Sequence, residues 1–446
     1  MDQIIEQIVN FVWGLPLVIF LFSANFYLMF CSRFLPLLGV GHAVKLLFKK
    51  TDEKSEGQIS HFQTFCNAIA ATVGLGNISG VAIAITQGGP GVVLWMWIAA
   101  IFGMNTKFFE VTSALLLRGK DYLGETQGGA MYSIERAFKP RFHFLASMFA
   151  ICGAIGTLSI FQVNQLASLG SSMLNMQGWI TGLVFAMLTL WVLQGGLLRL
   201  SKTCAAIVPI MSILYIIASL LILIKNANMI PFVIKDIFNH ALNMKSALYG
   251  SLSYGFIHIM ITGIKRATFS NEAGLGTAPM AHSNSKTNEP ISEGYVSMLG
   301  PLLDTLIVCT MTALVILVSV GEDKLSGYSG INLTLFAFKS NLGLFGEITL
   351  GTCVLLFGYS TILGMANYNQ KCWDFIFRGK RFLGHNSFKV WYIGTILLGS
   401  IMTVDSVINI IDIAYALMTI PNIIITLFMA NKVKHLLRDY NKKHNL

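Results

Sequence analysis

Two strings in this 446-residue chain have the makings of a binding site built from main chain. In Ala70-Ala71-Thr72-Val73-Gly74-Leu75-Gly76-Asn77-Ile78-Ser79-Gly80, three glycines, an Asn and a Ser interrupt an apolar run near its middle. The second, Thr268-Phe269-Ser270-Asn271-Glu272-Ala273-Gly274-Leu275-Gly276-Thr277-Ala278-Pro279, is too polar for lipid and too apolar for an ordinary loop. Both contain Gly-Leu-Gly. Glycine-interrupted apolar segments at corresponding places in two halves of a chain expose N–H and C=O groups that can hold an ion or a zwitterion. Close packing of small residues would account for one such string. Two at matching places, with Asn77 and Asn271 alongside, favour the binding reading.

Other polar groups stand inside apolar runs. Gln162 and Asn164 offer amide donors and acceptors, suited to a zwitterion, to a cation's oxygen shell, or equally to a bond between helices. Ser360 and Thr361 are adjacent hydroxyls of which one could ligate Na⁺ and the other a carboxylate, unless both bond back to their own turn. Lys107 and Glu110 are spaced i,i+3 and read as a structural pair, whereas Asp304 has no partner on its own helix and reads as an inter-helix anchor or a coupling group. Glu272 lies in the second string, and Asp405 and Asp412 fall near the outer end of the last apolar run. No Walker loop, GxSxG elbow, HExxH or Cys–His pairing occurs, so the residues imply neither an enzyme nor a bound cofactor. The seven cysteines fall singly on or beside apolar segments and read as small hydrophobes. Energy for any transport must come from an ion gradient.

The elements that position these groups follow from composition. With 54% apolar residues, 12% charged and a mean hydropathy of +0.66, the chain is an integral membrane protein. Apolar runs of membrane length fall at Ile8–Phe30, Phe62–Ile85, Val92–Leu117, Phe144–Leu174, Trp179–Leu198, Cys204–Ile224, Ala247–Ile264, Val296–Val320, Ile348–Tyr368, Val390–Met402 and Val407–Ala430. These eleven lack the alternation of barrel strands and read as helices. The charge of +10 and pI of 9.2 imply orientation rather than a nucleic-acid partner, because twenty-five Lys and Arg lie in one set of alternate loops against five in the other. That asymmetry puts the C-terminus in the cytoplasm and, with an odd number of spans, the acidic N-terminus outside. No removable leader is expected. The two strings are one five-helix unit apart, which predicts inverted repeats over 59–225 and 246–430, an additional helix and loop over 1–58, and a tail over 431–446.

These residues resemble the alanine or glycine:cation symporter family, the bacterial sodium:alanine (D-alanine/glycine) permeases. The resemblance is carried by Asn67 to Ala82, Gly88-Gly89-Pro90-Gly91 with Trp95-Met96-Trp97, Gly103-Met104-Asn105-Thr106-Lys107-Phe108, Gly128-Gly129-Ala130-Met131-Tyr132, Phe269 to Gly276 and Ser360-Thr361-Ile362-Leu363-Gly364. It covers nearly the whole chain. It implies an all-α, LeuT-like (APC-type) fold of eleven transmembrane helices in a bacterial plasma membrane, and Na⁺-coupled uptake of small neutral amino acids such as alanine or glycine. Carried over by motif, the substrate would lie against Val73, Gly74, Gly76, Asn77, Gln162, Gly263, Thr361 and Met365. Na⁺ would lie between the main chain at Val73 and Gly76 and the hydroxyls of Ser360 or Thr361. Lys107, Glu110, Asn271, Glu272 and Asp304 would serve structure or coupling. The family usually continues Ser-Thr-x-x-Gly with Trp, where this chain has Met365, a more pliable and larger-pocketed wall. That departure leaves room for serine or glutamine. A carrier driven by protons through Asp304 or Glu272, and a sensor or channel, are the alternative readings. No protein partner is implied.

Overall fold

A computed structural model describes residues 7–9, 11–49, 57–120, 124, 126–242, 253–320, 328, 330–378 and 387–444. Apart from a two-residue hairpin pairing Gly119–Lys120 with Thr126–Gln127, the described regular structure is helical. In chain order the helices used below are α1 (Leu15–Cys31), α2 (Val40–Leu47), α3 (His61–Thr72), α4 (Val81–Gly88), α5 (Val92–Leu116), α6 (His143–Gly156) and α7 (Ile160–Leu174). They continue with α8 (Gly178–Leu193), α9 (Gly196–Lys225), α10 (Ile230–Ala241), α11 (Ser253–Asn271), α12 (Ala278–His282), α13 (Pro290–Ser297) and α14 (Thr310–Ser319). The last are α15 (Ile331–Ile376), α16 (Ser387–Gly399) and α17 (Val404–His444).

Six helical stretches are long and apolar enough to cross a bilayer alone, and α3 with the Gly76–Gly88 stretch makes a seventh that is bent by 48°. Each apolar run of the sequence falls on a helical stretch; the start of the seventh run at Ala247, the repeat boundary at 246, and six of the Lys and Arg counted for orientation (Lys50, Lys54, Lys245, Lys324, Lys380 and Arg381) lie outside the described residues.

The packing is inverted relative to a water-soluble protein. Helix α8 turns Trp179, Leu183, Met187 and Trp191 outward, while Asn77, Lys107, Glu272 and Asp304 are almost fully enclosed. Only a hydrocarbon surround makes that arrangement favourable, since an exposed apolar belt of this extent would aggregate in water. At the centre stands α15, whose membrane stretch is 72% buried against 44% for α9 at the periphery.

Several stretches differ from the sequence expectation. The fourth run is two helices, α6 and α7, parted at Thr157–Ser159, where Asn369 donates to Ala154 O at 2.7 Å and to Thr157 Oγ1 at 3.1 Å. The ninth run extends outward past a kink at Gly343 (φ 59°) into the further helical stretch that begins at Ile331. Beyond Ala430 the expected tail is a continuation of α17, which runs unbroken to His444. Lys265 and Arg266, which fall just past the seventh apolar run and count among the twenty-five loop charges, stand inside α11, where Arg266 meets Asp412 of α17 at 2.6 Å and Lys265 meets it at 3.2 Å. Asp412 is thus a buried ion-pair partner; an unpaired charge at that depth would cost several kcal/mol.

Candidate functional site

The first break begins with a helix that is well started and abruptly stopped. Ser60 and Gln63 form a capping box at the head of α3, and at its tail Val73 turns extended (ψ 92°), taking its carbonyl out of the helix's hydrogen-bond line. Asn77 then closes the gap from the far side: its Oδ1 accepts from Gly74 N at 2.8 Å, and the chain re-enters helix through a wide π turn over Gly76–Gly80. A methyl group on Gly74 would run into the side chain of Thr361, so only glycine lets the break approach α15 this closely.

The second break is made by backbone conformation. After Asn271 the residues Glu272, Gly274 and Gly276 take φ of 56°, 88° and 77°, and helix resumes at Ala278 with Pro279 in its first turn. Asn271 Oδ1 accepts from Ala273 N at 2.9 Å and Thr277 Oγ1 donates to Glu272 at 2.6 Å, which holds the strained turn locally. From outside it, Asn422 of α17 donates to Gly274 O at 2.8 Å and to Glu110 at 2.5 Å.

Asp304 joins the two breaks. It sits on a π turn, Leu302–Cys309, between α13 and α14. One carboxylate oxygen accepts from Asn77 Nδ2 at 2.6 Å; the other accepts from Ser270 Oγ at 2.8 Å and Thr305 Oγ1 at 2.7 Å. Asn271 Nδ2 reaches the same Thr305 hydroxyl at 3.0 Å. A carboxylate accepting three side-chain donors in a fully enclosed site fixes all three in place. Of its two sequence readings, the anchoring geometry is present. The i,i+3 pair of Lys107 and Glu110 does not close into a salt bridge; Glu110 turns to Asn422 instead.

Between the breaks lies a small cavity with room for about one water molecule. Thr72, Gly74 and Gly76 form one wall, Gln162 and Leu158 of the α6–α7 stretch a second, Phe269 of α11 and Tyr415 of α17 a third, and Met365 of α15 a fourth. Phe269 is held by edge contact with Phe161 at 5.1 Å and by the Arg266 guanidinium over its ring at 5.4 Å. Gln162 Oε1 lines this space and Thr361 Oγ1 abuts Gly74; both are buried with no hydrogen-bond partner. Buried acceptors left open in this way are where a ligand's donors or a cation belong.

The sequence-selected residues therefore divide. Val73, Gly74, Gly76, Gln162, Thr361 and Met365 come together at or beside the cavity. The Asn77 side chain is engaged with Gly74 and Asp304 and does not face it. Gly263 packs against Val92 and Trp95 of α5. Ser360 Oγ points the other way, donating to Phe357 O at 3.0 Å and to Met211 Sδ at 3.2 Å. Phe269 was visible within the second string, but Tyr415 carried no signal, because its place depends on how α17 packs. A larger groove of about 340 Å³ between α7, α8 and α15 is almost wholly apolar and opens to the lipid-facing surface, so it offers a polar solute nothing.

Two interrupted membrane helices flanking one central cavity, with a carboxylate tying the interruptions together, define a secondary transporter of LeuT-like architecture. The structure resembles that of the transporter MhsT in complex with L-phenylalanine, with a TM-score of 0.58 over 86% of this chain and 98% of that one at 14% identity. The chain belongs to the sodium:alanine symporter family, whose model matches residues 1–446. It is 36% identical to the sodium/alanine symporter AgcS of Methanococcus maripaludis, covering 99% of this chain and 97% of the relative. It is also 31% identical to the probable sodium/glutamine symporter GlnT of Bacillus subtilis, covering 99% and 92%.

Proposed function

We propose that the protein carries a small neutral amino acid, such as alanine or glycine, across the plasma membrane with Na⁺ by alternating access. The observation that carries this reading is the pair of open buried acceptors, Gln162 Oε1 and Thr361 Oγ1, set beside the first break. The substrate ammonium would be taken by Gln162 Oε1, its carboxylate by the main chain of Gly74 and Gly76, and its side chain by Phe269, Tyr415 and Met365. Na⁺ would join the main chain at Val73 and Gly76 to Thr361 Oγ1, oxygen ligands suited to a hard cation. Ser360 would stand behind this site, since its hydroxyl is spent elsewhere. Asn77, Asn271 and Asp304 would shape the two breaks, with Lys107, Glu110 and Glu272 as the charged frame around the second.

The two breaks would belong to inverted repeats over 59–225 and 246–430, so that one rocks against the other around a fixed site. The face bearing Arg33, Lys45, Arg118 and Arg136 would be cytoplasmic. Thioether flexibility at Met365 would let the pocket widen for serine or glutamine, in keeping with a relative named for glutamine. The test is uptake of labelled alanine, glycine, serine and glutamine into proteoliposomes with Na⁺ and pH gradients imposed separately. Accumulation driven by Na⁺ alone is expected; accumulation driven only by pH would overturn the coupling, and exclusion of all four solutes would overturn the substrate class.

A further inference from the structure

The far end of α3 from the cavity is fastened by a buried polar clasp that the transport site does not use. His61, its first residue, donates through Nδ1 to Glu293 Oε2 on α13. Ser285 Oγ donates to the same oxygen at 2.7 Å, and His282 Nδ1 at the end of α12 donates to Oε1 at 2.6 Å. Glu293 and Ser285 are fully enclosed, and the two imidazoles nearly so. Main chain reinforces the clasp: Gln58 N donates to Asn284 O and Lys286 N to Ile59 O, both at 2.8 Å, forming a parallel bridge. Arg118, just past the end of α5, donates to Ser285 O at 2.9 Å, and Lys371 of α15 to Asn284 Oδ1 at 3.2 Å.

The two sides of this clasp are held differently. Helix α3 is only 12 residues long, and beyond Thr72 its hydrogen-bond ladder is interrupted at the first break, so it is a short lever hinged at the cavity. Helix α13 is a post: Gly294 is wedged against Phe108 and Thr112 of α5, Ser297 Oγ donates to Lys107 O at 3.2 Å, and Tyr295 OH donates to Asn441 at 3.1 Å. The choice of chemistry also matters. An apolar seam would have to expose its surface on parting, whereas imidazole, hydroxyl and carboxylate exchange their bonds for water once apart. Assembled and dry, however, the carboxylate needs all its donors, so the clasp is either whole or open.

We propose that Glu293, with His61 and His282, is the latch that keeps α3 closed over the path from the cavity to the basic face, making Glu293 a positioning residue for transport. This rests on the alternating-access reading above. Cys66, five residues along α3 from His61 and 2% exposed, is a native reporter of the lever, and the fully enclosed Cys353 on α15 is its internal control. Maleimide labelling of the full-length protein in liposomes, read peptide by peptide, should quicken at Cys66 by about tenfold in Glu293→Gln and in His61→Gln, with Cys353 unchanged. Glu293→Asp should fall between, and each variant should raise the apparent KM for solute offered from the opposite face more than it lowers the maximal rate. If Glu293→Gln does not insert, His61→Gln decides alone. An unchanged Cys66 rate, or equal acceleration at Cys353, overturns the latch. Labelling needs no solute, so failed alanine uptake with quickened Cys66 overturns only the substrate reading, and Na⁺-driven uptake with unchanged Cys66 overturns only the latch.

Discussion

The two breaks contain the same Gly-Leu-Gly yet are built by different means. At the first, no residue between Thr72 and Val81 has positive φ, and the interruption is held by side-chain bonds, Asn77 to Gly74 and to Asp304. At the second, three residues have positive φ, and the strained turn is held by side-chain bonds from Asn271, Thr277 and Asn422. The first break is therefore set by side-chain bonds across ordinary backbone torsions, and the second by positive-φ torsions, two of them at glycine, that side-chain bonds hold in place. The break without positive φ is the one that follows α3.

The contrast is broken most severely at Gly276. Gly276→Ala adds a Cβ at positive φ that would approach Asn422 Oδ1 to 2.6 Å and Phe149 to 2.9 Å. The expected cost of about 3 kcal/mol should appear as loss of the monodisperse peak in detergent chromatography. Asp304→Ala should come next, because it removes the acceptor shared by Asn77, Ser270 and Thr305; a loss of about 3 kcal/mol in thermal stability, with uptake abolished, is expected.

Gly74→Ala sharpens the comparison, since its clash is with a side chain alone. It should destabilise by about 2 kcal/mol, and Thr361→Ala in the same chain should restore much of that loss without restoring Na⁺ dependence. Truncating Asn422 should not rescue Gly276→Ala in the same way, because the φ of 77° is itself an obstacle. Thr361→Ala by itself removes a hydroxyl with no protein partner, so stability should hold within about 0.5 kcal/mol while the Na⁺ concentration for half-maximal uptake rises about tenfold. The smallest effect is expected from Met365→Trp, which should narrow the cavity and shift the ratio of alanine to glutamine uptake severalfold in favour of alanine, measured by competition.

The sequence made both breaks legible because glycine in an apolar run is costly unless it is used, and the string of residues around each was long. The membrane class and most helix positions followed from hydropathy alone. What it concealed depended on tertiary proximity. Ser360 and Thr361 are adjacent, and only the rotation of α15 decides that Thr361 meets Gly74 while Ser360 faces α9. Asn77 is placed at the substrate by motif alone, and its side chain is engaged with Gly74 N of its own turn and with Asp304. Lys265 and Arg266 looked like loop charges because their partner, Asp412, is 146 residues away from Arg266 in sequence. The interruption between α6 and α7 has no glycine within Thr157–Ser159 and gave no warning.

The last helix has a mechanical consequence. At 41 residues α17 is about 60 Å long, roughly twice the thickness of the hydrocarbon layer, so a large part of it stands clear of the lipid as a stiff strut. Its tip is seated: the Tyr440 hydroxyl lies 2.9 Å from the His42 ring of α2, and Asn441 meets Tyr295 of α13. Helix α2 and the tip of α17 are thereby braced against the same post, and shortening the strut by a single turn would unseat a support that lies 398 residues away in sequence.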